Sequence, residues 1–108
     1  MVVASLQFKV KREKRAEFVR AAETFVAILR QLPGCLDCRF MADCEMRERY
    51  TVLSRWEGLA PLRQFLDSDE FRALLGTRIL LHDPPHICFD EVVRCTRLHG
   101  RGRSRLAW

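Results

Sequence analysis

LDCRFMADCEMRERYTVLSRW, residues 36–56, alternates twice around a charged tip. On the first arm Leu36, Cys38, Phe40, Ala42 and Cys44 share one side, and Asp37, Arg39, Met41 and Asp43 take the other. On the second arm Tyr50, Val52, Ser54 and Trp56 alternate with Thr51, Leu53 and Arg55. A period of two places successive side chains on opposite faces of a sheet, so both arms read as half-buried strands. Glu45-Met46-Arg47-Glu48 between them reads as the tip of a hairpin.

Upstream, Val2 to Val10 also alternates, with Val2, Ala4, Leu6, Phe8 and Val10 on one side. From about Glu13 the period changes. Phe18, Ala22, Phe25, Leu29 and Leu32 recur at helical spacing, flanked by Val19, Val26 and Ile28, until Pro33-Gly34 ends the segment. Downstream, residues 59–81 predict a helix in two pieces, Leu59–Leu66 and Asp69–Leu81, because Asp67-Ser68 offers an N-cap before a new apolar stripe. Gly76 weakens the second piece and Asp83-Pro84-Pro85 stops it. His86–Thr96 predicts the last strand, with Ile87, Phe89, Val93 and Cys95 on one face.

The order β-α-β-β-α-β is that of a ferredoxin-like α+β fold, one four-stranded antiparallel sheet with its helices on a single face. Such a sheet leaves one face bare, and Val3, Met41 and Leu53 lie on it. Packing two bare faces together covers both, so a homodimer through the open sheet face is expected.

At 108 residues one domain is expected, since two halves would each struggle to bury a core. The 48% hydrophobic content excludes global disorder, and no apolar run reaches the length of a membrane span. Without a secretory leader at the start, the default compartment is the cytoplasm. The formal charge of +5 is unevenly spread. Four of the arginines, Arg97, Arg101, Arg103 and Arg105, fall in the last twelve residues, which hold no acid, so residues 1–96 are nearly neutral. We therefore divide the chain into a domain at 1–97 and a basic tail at 98–108, whose Gly-Arg-Ser composition favours a solvated terminus. Nucleic-acid binding would rest on that tail alone. RNA-recognition domains share the element order, but their third strand carries a basic-Gly-aromatic motif, and RYTVLSRW has no glycine.

Three segments resemble the antibiotic biosynthesis monooxygenase (ABM) domain family: VVASLQFKVKREKRAEF at 2–18, LPGCLDCRF at 32–40 and VLSRWEGLAPLRQFLDSDEF at 52–71. The last is the most specific, with a strand-ending Trp, a short helix and Ser-Asp-x-Phe at the family's spacing. The resemblance spans roughly residues 2–96 and implies a dimeric α+β barrel. The family includes haem degraders, whose pocket uses an Asn in the first strand, a Trp ending the third and an iron-ligating His in the second helix. Those positions fall on Leu6, Trp56 and Leu75, so two of the three groups are absent and no axial ligand is evident. The family also includes cofactor-free oxygenases of quinols and polycyclic phenols. Membership thus implies a monooxygenase that uses neither metal nor cofactor on a small hydrophobic aromatic, the alternative being a non-catalytic dimer that binds a small molecule.

Cofactor-free oxygenation asks for an apolar slot and a group that removes a proton. Trp56 is the candidate wall of that slot, with Leu6, Phe8, Phe71 and Leu75 as candidate substrate-binding residues; a core role for Trp56 stands beside this reading. Arg78 and His82 lie seven residues after Phe71 and Leu75 and so continue the apolar stripe. His82 is the candidate general base, with His86 in reserve, and Arg78 the candidate stabiliser of a phenolate. A helix cap for His82 and a snorkelling stem for Arg78 are the plainer alternatives. Cys35-x-x-Cys38 follows a helix and enters a strand, the reverse of a redox pair, and zinc would need ligands from distant strands. Packing of reduced thiols is the expected role of the cysteines, with Cys38 and Cys44 beside Phe40.

Overall fold

A computed structural model describes residues 1–76 and 80–93. The chain forms β1 (Val2–Lys9), a short 3-10 turn at Arg12–Lys14, α1 (Arg15–Leu29), β2 (Cys35–Ala42), β3 (Arg49–Trp56), α2 (Leu59–Leu66), α3 (Asp69–Leu75) and β4 (His86–Glu91). The four strands make one antiparallel sheet in the order β2-β3-β1-β4. β1 runs beside β3 from Val2 opposite Trp56 to Lys9 opposite Arg49, and beside β4 from Val2 opposite Glu91 to Gln7 opposite His86.

The alternation in the sequence becomes a division between faces. Val2, Ala4, Leu6 and Phe8 of β1 and Tyr50, Val52, Ser54 and Trp56 of β3 are buried beneath the helices. Phe18, Ala22, Phe25, Val26 and Leu29 of α1 close over them. Their spacing is that of one helical face. The core is rich in aromatic contacts: Phe18 meets Phe8 at 5.2 Å and Tyr50 at 5.4 Å between ring centroids. Each such pair contributes about 0.5–1.5 kcal/mol beyond simple burial.

Local signals set the element ends. Ser68 caps α3, its hydroxyl accepting from the Phe71 N–H at 3.2 Å, while Asp69 and Glu70 place negative charge in the first turn. After α1 the chain turns at Gly34, whose φ of 84° is a left-handed conformation that costs glycine little. The Glu57 N–H donates to the Gly34 carbonyl at 2.9 Å, tying this turn to the end of β3. Arg30 locks α1 to the edge strand, donating from Nε and Nη2 to the Cys38 carbonyl at 3.0 and 2.8 Å.

Four expectations are corrected. The pairing of β2 with β3 shifts between Cys35 and Asp37, so Cys35 stands opposite Trp56 and Leu36 is left 49% exposed instead of joining the apolar face. Cys44 lies beyond the end of β2 and is exposed, because the Asp43 carboxylate turns the chain by accepting from the Glu45 and Met46 N–H groups. β4 ends at Glu91, and Val93 is 97% exposed. α3 ends at Leu75, and Leu81, expected to close the second helix, bridges to Val10 instead, because the Leu80 carbonyl and the His82 N–H are taken by the backbone of Lys11 and Lys9. The expected continuation of β4 to Thr96, with Cys95, and the basic tail lie outside the described residues, as does Arg78. Among the described residues, no helix is long and apolar enough to cross a membrane.

Candidate functional site

An apolar groove lies between α1 and α3. Ala21, Thr24, Phe25 and Ile28 form one wall, Glu70, Ala73 and Leu74 the other, around about 280 Å³. The helices create it through residue size. Ala21 and Ala73 stop at Cβ where the two helices approach, and the space that larger side chains would fill stays open. Phe25 forms an aromatic wall, and Glu70, half-buried, brings the one carboxylate. The Thr24 hydroxyl donates to the Arg20 carbonyl at 3.1 Å, which leaves its oxygen free to accept.

Trp56 stands one layer behind this groove. Its side chain is 0% exposed, the indole N–H donates to Ser54 Oγ at 2.9 Å, and the ring stacks on Phe65 at 5.4 Å and 23°. Phe65 in turn meets Phe25 at 5.8 Å and takes Phe71 edge-on at 5.3 Å. The contacts run Trp56, Phe65, Phe25, groove. On its other side Trp56 borders a small cleft of about 90 Å³ with Leu32, Pro33, Pro61, Gln64, Phe65 and Ser68. That volume admits a few waters but no fused-ring ligand.

The sequence-predicted residues do not converge. Leu6 and Phe8 are buried in the strand core, Phe71 is buried against Phe65, and Leu75 is half-buried against the same core. Trp56 pairs with Val2 at one end of β1, whereas Leu81 bridges to Val10 beyond the other end, and the His82 N–H donates to the Lys9 carbonyl at 2.8 Å. Eight residues of strand separate the two ends by roughly 25 Å, so no single slot joins Trp56 to His82. The His82 imidazole instead lies 3.9 Å from the Glu48 carboxylate. His86 lies on the open face, with Nε2 3.3 Å from Cys88 Sγ. Arg78 lies outside the described residues.

The sequence reading assigns none of the groove residues to a site, taking Phe25 and Ile28 only as part of a packing stripe. Their signal is two small residues, Ala21 and Ala73, on helix flanks that the apolar stripes leave beside the core, with Phe25 and Leu74 next to them. It becomes readable only once the two helices are known to lie side by side.

The cysteines are packing groups where they are covered. Burial pushes the Cys38 thiol up to about 12, and burial likewise raises that of Cys35. A thiol held protonated is neither a nucleophile nor a metal ligand. Among the described residues, no three His, Cys, Asp or Glu side chains come together as a candidate metal site.

Comparison with known proteins agrees with this architecture. A candidate antibiotic biosynthesis monooxygenase from Deinococcus radiodurans superposes with a TM-score of 0.85 at 19% identity, covering 93% of this chain and 100% of that one. A second candidate of that kind, from Caulobacter crescentus CB15, gives 0.79 at 22% identity over 86% and 90% of the two chains. A conserved protein from Methanosarcina mazei Go1 gives 0.78 at 23% identity over 82% and 89%. At these identities the likeness is one of fold. A search of curated proteins finds no match. The family profile described as antibiotic biosynthesis monooxygenase matches residues 1–76, from β1 through α3. The chain therefore belongs to the antibiotic biosynthesis monooxygenase family.

Proposed function

We propose that the chain is a monooxygenase acting without metal or flavin on a small hydrophobic aromatic, a quinol or polycyclic phenol, bound in the groove between α1 and α3. The observation that carries this reading is an apolar groove of about 280 Å³ with one aromatic wall and one carboxylate. The Phe25 ring offers a flat surface to a planar substrate, and Glu70 accepts a hydrogen bond from its hydroxyl. Proton transfer to Glu70 raises the electron density of the ring, which then reacts with dioxygen. The substrate as a whole gives up two hydrogens, one of them from its hydroxyl where the reacting ring carbon carries only one, and gains one oxygen as a carbonyl; the other oxygen leaves with both hydrogens as water. Trp56 is in this reading a positioning residue, holding Phe25 through Phe65. His82 takes no step. Arg78, eight residues beyond Glu70, is kept as the candidate partner of a phenolate oxygen.

Oxygen consumption with naphthohydroquinone, anthrone and 1-naphthol tests the reading. Ala73→Trp, which fills the groove, abolishes turnover with the fold intact by circular dichroism, and Glu70→Gln lowers kcat more than it raises KM. Turnover that survives Ala73→Trp overturns the location. The alternative, a non-catalytic binding protein, is favoured by the complete burial of Trp56. It requires saturable binding of the same compounds, lost in Ala73→Trp, with no oxygen consumed; neither turnover nor binding removes both readings.

The open sheet face, with Val3, Leu53 and Met41 among its residues, supports a homodimer formed through it. Light scattering should return twice the chain mass, and Leu53→Lys should halve it.

A further inference from the structure

The groove between α1 and α3 carries an unequal set of polar atoms. Among the described residues that line it only Thr24 and Glu70 are polar, one on each wall, and no lysine, arginine or histidine joins them. The Thr24 proton is already given to the Arg20 carbonyl at 3.1 Å, which leaves the oxygen as an acceptor. An ionised carboxylate offers acceptors alone. Both polar side chains of the groove therefore accept, and neither has a proton to give. Glu70 also differs from its neighbour on α3. Asp69 is turned to solvent, its side chain 95% exposed, and holds Arg72 at 3.1 Å. Glu70 is half-buried and forms no ion pair among the described residues. A carboxylate brought against apolar walls loses hydration that a counter-charge would replace. The Phe25 ring borders the same space, and an aromatic face attracts a cation.

We infer that this groove binds a protonated primary amine carried on a small aromatic body, the ammonium held by Glu70 and Thr24 and the rings laid against Phe25 and Leu74. An ammonium has three N–H donors and a full charge. One donor meets the Glu70 carboxylate, a second the Thr24 oxygen, and the third stays with water at the groove mouth. Ala21 and Ala73 keep the space between the helices open for the rings, and its volume of about 280 Å³ lies just under the range of drug-sized sites. The same inventory rejects other classes. A carboxylate or phosphate ligand would face Glu70 charge to charge, and a ketone or quinone would set acceptor against acceptor. A phenol satisfies one acceptor with its single proton and brings no charge, whereas an amine satisfies both with charge-assisted bonds. The inference rests on the groove being a ligand site and not on oxygenation there. An amine so placed occupies the carboxylate that would take a phenol's proton, so the two ligand classes compete.

Isothermal titration of the full chain at neutral pH compares naphthylmethylamine, protonated there as a lysine is, with uncharged naphthylmethanol and anionic naphthoate. The amine should bind about ten- to hundredfold more tightly than the alcohol, the worth of one charge-assisted hydrogen bond, and naphthoate should not bind. Glu70→Gln should bring the amine down to the alcohol's level and leave the alcohol nearly unchanged. Thr24→Val, which keeps the shape and removes the acceptor, should weaken the amine by a smaller factor. Asp69→Asn removes an equal charge from the adjacent solvent-facing position and should bind the amine like the parent. Amide NMR shifts on adding the amine should fall on the facing stretches of α1 and α3 and spare the open sheet face. Equal affinity for amine and alcohol, an Asp69→Asn effect as large as that of Glu70→Gln, or shifts on the sheet face would each overturn the inference. Equal affinity at the groove would still leave it open to phenols, and amine binding without any oxygen uptake from phenols would remove the oxygenase reading alone. No binding by any of the three compounds overturns both.

Discussion

Gly34→Ala is the most informative single perturbation of this fold. Gly34 holds φ at 84°, and a Cβ built there would run into the Pro61 ring, with Cγ only 2.7 Å away. Two independent costs follow. Placing an L-residue in the left-handed region costs about 1–2 kcal/mol. Forcing a methyl into filled space typically costs a further amount of about 1–3 kcal/mol. A loss of roughly 2–5 kcal/mol is a large part of the roughly 5–15 kcal/mol that holds a domain folded. With a urea dependence of about 1–3 kcal/mol per molar, the unfolding midpoint should fall by roughly 1–3 M at unchanged slope. Pro61→Gly removes the obstructing ring and leaves the backbone cost, so a double-mutant cycle separates the two. The Gly34→Ala/Pro61→Gly pair should be less destabilised than the sum of the singles by about 1–3 kcal/mol. Additivity within about 0.5 kcal/mol would refute the clash, and a Gly34→Ala loss below about 1 kcal/mol would refute both terms.

Three further outcomes are expected. Ser54→Ala leaves the buried Trp56 indole N–H without its acceptor and should cost about 1–3 kcal/mol in urea denaturation; a change under 0.5 kcal/mol would mean that the bond contributes nothing. Because burial raises the Cys38 thiol from an ordinary 9.0 to about 12, the unfolded chain ionises first as pH climbs. Stability is thus fully present below pH 9 and declines toward pH 12. Cys38→Ala should flatten that alkaline limb, and mass spectrometry after iodoacetamide at pH 8 should find Cys44 alkylated and Cys38 intact. Asp43, held below the usual carboxylate range by the Met46 and Glu45 N–H groups, contributes stability above its ordinary value near 3.8 that is lost as pH falls through the lowered one. Asp43→Ala should therefore weaken the acid dependence of unfolding, and an unchanged acid limb would exclude the turn as its source.

Most of the fold is legible in the sequence because burial imposes a period. Alternation at 2–10, 36–42 and 50–56 and the helical stripe at 18–29 name the strands and α1, and Ser68 before Asp69 marks the start of α3. The departures occur where periodicity stops carrying information. The bulge at Leu36 is a one-residue slip that alternation cannot see, and the end of β2 is decided by the Asp43 side chain and not by hydropathy.

The candidate site divides along the same line. Sequence alone determines that a Trp ends β3, that Leu6 and Leu75 carry no polar group, and that the body of the chain is nearly neutral. It does not determine which apolar residues enclose space. A helical stripe looks the same whether it packs solidly or stops short of its neighbour. Only the tertiary structure shows Leu6, Phe8 and Trp56 filling the core while Ala21 and Ala73 leave a groove. Spacing along the helix expected at 69–81 makes His82 look like a neighbour of the Trp56 slot, but antiparallel pairing sends the two to opposite ends of β1. The reason is physical: secondary structure follows from interactions within a few residues of the chain, while a cavity is the unfilled remainder of contacts between segments far apart in it.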